Sequence, residues 1–142
     1  MPRPKRARAG VPAAIIAKLR AICLALPQAY EEAAWVGTRW MIRKRNFAHV
    51  LEIVDGWPPA YARAAASDGP AVVLTFRTSA LLADVLRDAG PRFFYAPWGT
   101  QWGTKVIGMK LERSVDWREV ETLLVESYRS VAPRKLLAAR DA

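Results

Sequence analysis

The chain has one cysteine and one histidine among its 142 residues, and these two shortages close off much chemistry. A lone Cys23 cannot form a disulfide within the chain, and a single thiol fits a reducing compartment. It falls on the apolar stripe of a helix, where a thiol serves as a small core residue. A lone His49, with no Cys/His cluster, supplies neither a zinc ligand set nor the partners of a nucleophilic triad. It lies in a strand and is expected to be satisfied by a neighbour. Long apolar runs are missing too: none reaches the about 18 residues of a membrane-spanning helix. The apolar stretch behind the basic N-terminus is broken by Lys18 and Arg20, which argues against a cleaved leader. The expected protein is soluble and cytoplasmic.

Acidic residues are the third shortage, thirteen against twenty-two lysines and arginines, for a net charge of +9. Glu31 and Glu32 are adjacent, so they diverge on a strand and stand well apart on a helix. Neither geometry makes an acid/base pair. Asp84 and Asp88 share the polar side of one helix, as on a solvated face. Gly99 to Lys105 superficially resembles a phosphate loop, but one residue too few separates its glycines and a strand follows where a helix is required. With no catalytic constellation, the expected protein is not an enzyme and needs no metal or cofactor.

What the chain does have is positive charge, and its placement matters. Arg3, Lys5, Arg6 and Arg8 sit in a basic arm over residues 1–10. Arg129, Arg134, Lys135 and Arg140 collect near the C-terminus, leaving the middle only weakly basic. Such a balance attracts polyanions, nucleic acid first among them. Aromatic residues are concentrated in Pro91–Leu111, where Phe93, Phe94, Tyr95, Trp98 and Trp102 accompany a doubled Trp-Gly-Thr triplet.

The hydropathy pattern predicts one domain over residues 11–137 and a tail over 138–142. Pro12 opens a helix with an Ile15, Leu19, Ile22, Cys23, Leu26 stripe, ended by Pro27. Glu31, Glu32 and Gly37 mark a loop. Arg39–Arg43 and Phe47–Val54 read as strands joined by a turn at Lys44-Arg45-Asn46, with Phe47, His49, Leu51 and Ile53 on one face. Residues 56–70 read as a connection whose alanine-rich middle can form a short helix behind Pro59. Ala71–Arg77 is a third strand. Ser79 caps a helix with a buried Leu82, Val85, Leu86, Ala89 stripe, closed by Gly90 and Pro91. Lys105–Leu111 is the last strand, and Tyr95 to Lys105 is a connecting loop before it. Asp116 and Glu119 form a capping box for a final helix buried through Val120, Leu123, Leu124, Ser127, Tyr128 and Val131. After Pro133 a short basic tail begins. Helix, strands in series, helix, strand, helix describes an α+β fold with a mainly antiparallel sheet carrying helices on one face.

Several segments carry a family likeness. The helix LRAICLALPQAYEE, the strands around Trp40 and Phe47-Ala48, and VVLTFRTSALLADVL belong to it. So does the closing WREVETLLVESYRSVAPRKL, with Ser127-Tyr128, Ala132-Pro133 and Arg134-Lys135-Leu136. Taken in order, they resemble the MmcQ/YjbR family from about Leu19 to Leu137. The resemblance implies a frataxin/CyaY-like, double-wing α+β domain, often described as DNA-binding. It brings no catalytic residues. Iron handling of the frataxin kind needs clustered carboxylates, which this acid-poor chain with a basic first helix does not supply. The chain departs from the family pattern in its long 56–70 connection and its doubled Trp-Gly-Thr.

The leading expectation is a nucleic-acid-binding module, DNA first. Its candidate contacts are Arg39, Arg43, Lys44, Arg45, Arg92, Lys105, Arg134 and Lys135, with Tyr95, Trp98 and Trp102 as an aromatic site. The alternative is a small-ligand or protein-interaction site built on the aromatic 93–105 segment.

Overall fold

The structure, a computed structural model, describes residues 10–141, without the side chains of residues 97–99 and 139–141. The basic arm, apart from Gly10, therefore lies outside the described residues, as does the Trp98 side chain. The elements run α1 (Ala13–Cys23), β1 (Tyr30–Ala33), β2 (Thr38–Ile42), β3 (Arg45–Ile53), α2 (Pro59–Ala65), β4 (Ala71–Thr78), α3 (Ala80–Ala89), β5 (Phe93–Gln101), β6 (Thr104–Lys110), α4 (Trp117–Val131) and α5 (Arg134–Asp141). Six antiparallel strands form one sheet in the order β1-β2-β3-β4-β6-β5. The α+β, mainly antiparallel expectation holds. Among the described residues no helix is long and apolar enough to cross a membrane.

Strand alternation sends two apolar sets to opposite faces of the sheet. On the first face Trp40, Ile42, Val50, Leu74, Phe76, Ile107 and Met109 pack with Leu19 and Cys23 of α1, Ala83 of α3, and Leu124 and Tyr128 of α4. On the second face Leu51, Ile53, Val73 and Phe94 pack with Tyr61, Ala62 and Ala65 of α2. Thus α1, α3 and α4 share one face, as expected, and the short α2 takes the other. Each fully buried large apolar side chain contributes about 1.5–3 kcal/mol. The Phe94 ring lies where a Cβ on Gly108 would stand, so only glycine at 108 leaves room for it.

Several local expectations are corrected. The 31–37 loop contains the edge strand β1, paired to β2 from Tyr30↔Met41 to Ala33↔Thr38; its glutamates gave it a polar look, and edge strands tolerate charge. The β2–β3 turn is Arg43-Lys44, both in the left-handed region (φ 52° and 67°), and β3 starts at Arg45. Phe47 does not share a face with His49: the register shifts from Trp40↔Ala48 to Met41↔Asn46, and the bulge drops Phe47 into the first core. The supposed Tyr95–Lys105 loop is mostly strand, because residues 93–110 fold as the β5–β6 hairpin.

At the helices, α3 buries Ala83 and half-buries Leu86, and leaves Leu82 and Val85 outward. Tyr95 holds it in this rotation, since its hydroxyl bonds Asp84 and its ring lies 4.8 Å from the Arg87 guanidinium. Asp116 caps α4 by accepting from the Arg118 N–H at 2.9 Å, but the capping box is not closed, because Glu119 pairs with Arg92 instead. The basic tail after Pro133 is helical, and Leu136 of α5 joins the first core.

Candidate functional site

At one end of the sheet two hairpin turns stand beside each other. Arg43-Lys44 closes β2–β3, and Trp102-Gly103 (φ 52° and 72°) closes β5–β6. The second Trp-Gly-Thr copy is therefore a two-residue turn of the left-handed kind, its glycine in the usual second position. Thr104 closes it, donating from Oγ1 to the Gln101 carbonyl at 2.7 Å.

Arg77, near the end of β4, joins the two turns. Its alternation partners Val73 and Thr75 place it on the second face, beyond the reach of α2. The side chain is almost fully buried, at 4% exposure. Nε donates to the Asn46 carbonyl at 2.8 Å, and Nη2 donates to Asn46 Oδ1 at 2.8 Å and Gln101 Oε1 at 3.3 Å. Nη1 reaches Thr104 Oγ1 at 3.5 Å. Every acceptor is neutral. Burial pushes the Arg77 pKa down to about 10, which still leaves it charged at neutral pH. The result is a buried cation with a hydrogen bond at each nitrogen, and among the described residues no carboxylate cancels its charge.

The Trp102 ring covers it. The Arg77 guanidinium lies 4.3 Å from the ring centroid and that of Arg45 lies 5.3 Å away. The indole remains 39% exposed. Arg45 Nη1 also reaches the Val131 carbonyl at 3.5 Å, at the negative end of α4. This brings the hairpin to the junction from which Arg134 and Lys135 start α5, both exposed. Ser127 fastens the assembly from the first face. Its hydroxyl accepts the Arg77 N–H at 2.8 Å and donates to the carbonyl of the bulged Phe47 at 2.6 Å.

The YjbR family model matches residues 24–130, most of the chain. The chain belongs to the YjbR family. No curated protein matches it. The Ser127-Tyr128 pair at the heart of the family likeness thus has a physical role here. Ser127 ties β3 to β4 beneath the two turns, and the Tyr128 hydroxyl donates to the Pro27 carbonyl at 2.8 Å, fixing the exit of α1.

The fold sorts the expected contacts of this YjbR-family chain into groups. Arg43, Lys44, Arg45 and Trp102 come together, with Arg134 and Lys135 at the adjoining helix junction. Among the described residues none of these cations has a carboxylate partner. Arg39 and Arg92 are engaged elsewhere, with Glu32 at 2.9 Å and Glu119 at 2.7 Å. The two hydrogen bonds that Arg92 donates to the Glu119 carboxylate raise the Arg92 pKa. Lys105 lies 3.7 Å from the Tyr95 ring, within the α3 cluster. The 93–105 aromatics do not form one surface. Phe93 and Phe94 enter opposite cores, and Trp102 stands on the turn; a cavity of about 400 Å³ lies beside Phe94 and Tyr95.

Sequence reasoning missed Arg77, Asn46 and Gln101. One signal was available: Val73, Thr75 and Arg77 alternate on one face, and the change from apolar to polar marks where cover by α2 ends. Cys23 is fully buried, and burial raises its pKa, so it is a core thiol. Among the described residues no group of three or more His, Cys, Asp or Glu is placed to hold a metal ion.

Proposed function

We propose that this protein is a non-enzymatic nucleic-acid-binding module, DNA first, that uses the end of the sheet formed by the Arg43-Lys44 and Trp102-Gly103 turns. The observation that carries this reading is the partly exposed Trp102 indole stacked on two guanidiniums, one of them buried without a counter-ion. An exposed ring on a cationic base suits an unpaired nucleobase, worth about 1–3 kcal/mol per stacked base. The surrounding Arg43, Lys44, Arg134 and Lys135 suit phosphates.

Backbone strain adds support. Arg43 and Lys44 hold left-handed conformations that asparagine and glycine adopt at lower cost, about 1–3 kcal/mol each for a non-glycine residue. Cations kept at strained positions point to a use for their charge.

The test is fluorescence anisotropy with labelled single- and double-stranded DNA at two salt concentrations. Binding with a steep salt dependence is expected, lost in the Arg43→Glu, Arg45→Glu double variant. Binding insensitive both to salt and to those substitutions overturns the reading.

A further inference from the structure

The second face carries another concave site, separate from the two turns. A cavity of about 280 Å³ lies between the β1–β2 loop, the strands β2 and β3, and the start of α2. Trp35, Pro58, Pro59 and Tyr61 supply flat or apolar walls, with Arg39 and His49 as the polar groups. A cavity of about 150 Å³ already accepts benzene, so one or two fused rings fit here.

Trp35 is 80% exposed, although a tryptophan buries more area than almost any side chain when the fold lets it. Its ring leans on Trp57, with centroids 5.2 Å apart and planes tilted by 50°, which holds the indole at the cavity and leaves it uncovered. Arg39 is the cation on the wall. Glu32 takes only its Nη2, and Nε is shut off from water with no acceptor. An unmade bond of this kind is costly, and an arriving acceptor that resettles the guanidinium recovers it.

His49 does not compete for the ligand. Its Nε2–H donates to the Val36 carbonyl at 2.6 Å, and its Nδ1 accepts from the Tyr61 hydroxyl at 3.3 Å. Burial lowers its pKa; the bond to Val36 opposes this, and the Arg39 charge adds to the lowering. The imidazole is a neutral, fixed wall with both nitrogens occupied. This leaves the cavity with stacking surface and one cation, and no free base.

We propose that this cavity binds a small planar aromatic carboxylate, its ring against Trp35 and its carboxylate at Arg39. The chemistry follows from the walls: a flat ring for the indole and prolines, and a planar two-oxygen anion for a guanidinium with unused donors. Asn46 lines the cavity and also accepts from Arg77, so an occupant here touches a residue that supports the turn site.

The experiment uses the full chain and NMR of the tryptophan indole N–H groups, with the Trp35 signal assigned through Trp35→Phe. The probes are 2-naphthoate, the neutral 2-naphthamide and the non-aromatic cyclohexanecarboxylate. Saturable shifts at Trp35 with 2-naphthoate are expected, with binding about tenfold weaker for each of the other two. Trp35→Ala should weaken 2-naphthoate by about tenfold or more, and Arg39→Gln should bring it down to the level of 2-naphthamide. Trp35 is exposed, and thermal unfolding verifies that each variant is folded. The proposal is overturned by the absence of a saturable shift at Trp35, by equal binding of all three probes, or by an Arg39→Gln variant that keeps its preference for the carboxylate.

Discussion

On the first face of the sheet, α1, α3 and α4 cover strands whose inward side chains are apolar almost throughout. On the second face the seven-residue α2 packs on Leu51, Ile53, Val73 and Phe94 and reaches His49 through the Tyr61 hydroxyl, and beyond it the face is polar. There Arg39, His49 and Thr75 form one cross-strand row, and Arg77 lies just beyond it. A closed face stabilises; a half-open face has side chains left to offer. Substitutions on the first face should therefore move stability and leave binding alone, and those on the open part of the second face should do the reverse.

The largest effect expected is on the closed face. Tyr128→Ala removes a fully buried ring packed edge-on against Phe47, their centroids 5.5 Å apart, and orphans the Pro27 carbonyl. It should cost about 3–5 kcal/mol in urea unfolding. Ser127→Ala is next, because one hydroxyl serves both the Arg77 N–H and the Phe47 carbonyl. A loss of about 2–3 kcal/mol is expected. Since Ser127 links the two faces, this variant, unlike the others on the closed face, should also weaken binding at the turns.

A variant at the turn itself separates the faces most sharply. Arg43→Asn with Lys44→Gly relieves two left-handed non-glycine positions and should raise stability by about 1–2 kcal/mol. The same variant should weaken DNA binding and reduce the salt slope by about two. If stability rises and binding is unchanged, the turn cations have no part in recognition.

The His49 effect is smaller and depends on pH. Its folded pKa lies below the ordinary histidine value of 6.5, so between the two values the unfolded chain binds the proton and the folded chain does not. Stability should therefore fall as pH drops through 6.5 toward the lower folded value, by no more than about 1.4 kcal/mol per pH unit for one proton. Thermal unfolding of wild type and His49→Gln across pH 5–8 checks this, with the slope absent in the variant. The smallest stability effect is expected for Trp102→Ala, under about 1 kcal/mol, accompanied by a loss of about 1–3 kcal/mol in single-strand binding.

The closed face was largely legible in the sequence. The stripes through Leu19 and Cys23, through Leu124 and Tyr128, and through Ile107 and Met109 each follow one period, and each is buried as that period requires. The open face was not, because its features come from pairings between distant strands. Nothing local to Arg77 announces that Asn46 and Gln101 will meet it. The bulge that turns Phe47 away from His49 is a property of two strands together. Of the expected site, the Arg43–Arg45 cations and Trp102 were visible as residue types, but their meeting depended on β6 lying between β4 and β5. Arg39 and Arg92 read as free cations until their partners, Glu32 and Glu119, were placed across strand and helix.

The central claim, that the open end with Trp102 receives nucleic acid, is tested most directly by NMR of the indole N–H groups during titration with a short single-stranded DNA. The account predicts saturable shifts at Trp102 that weaken as salt rises, with the signal of Trp40, buried and bonded to Glu31 at 3.0 Å, unmoved. A Trp102 signal that stays in place at saturating DNA, or shifts confined to Trp35, would contradict it.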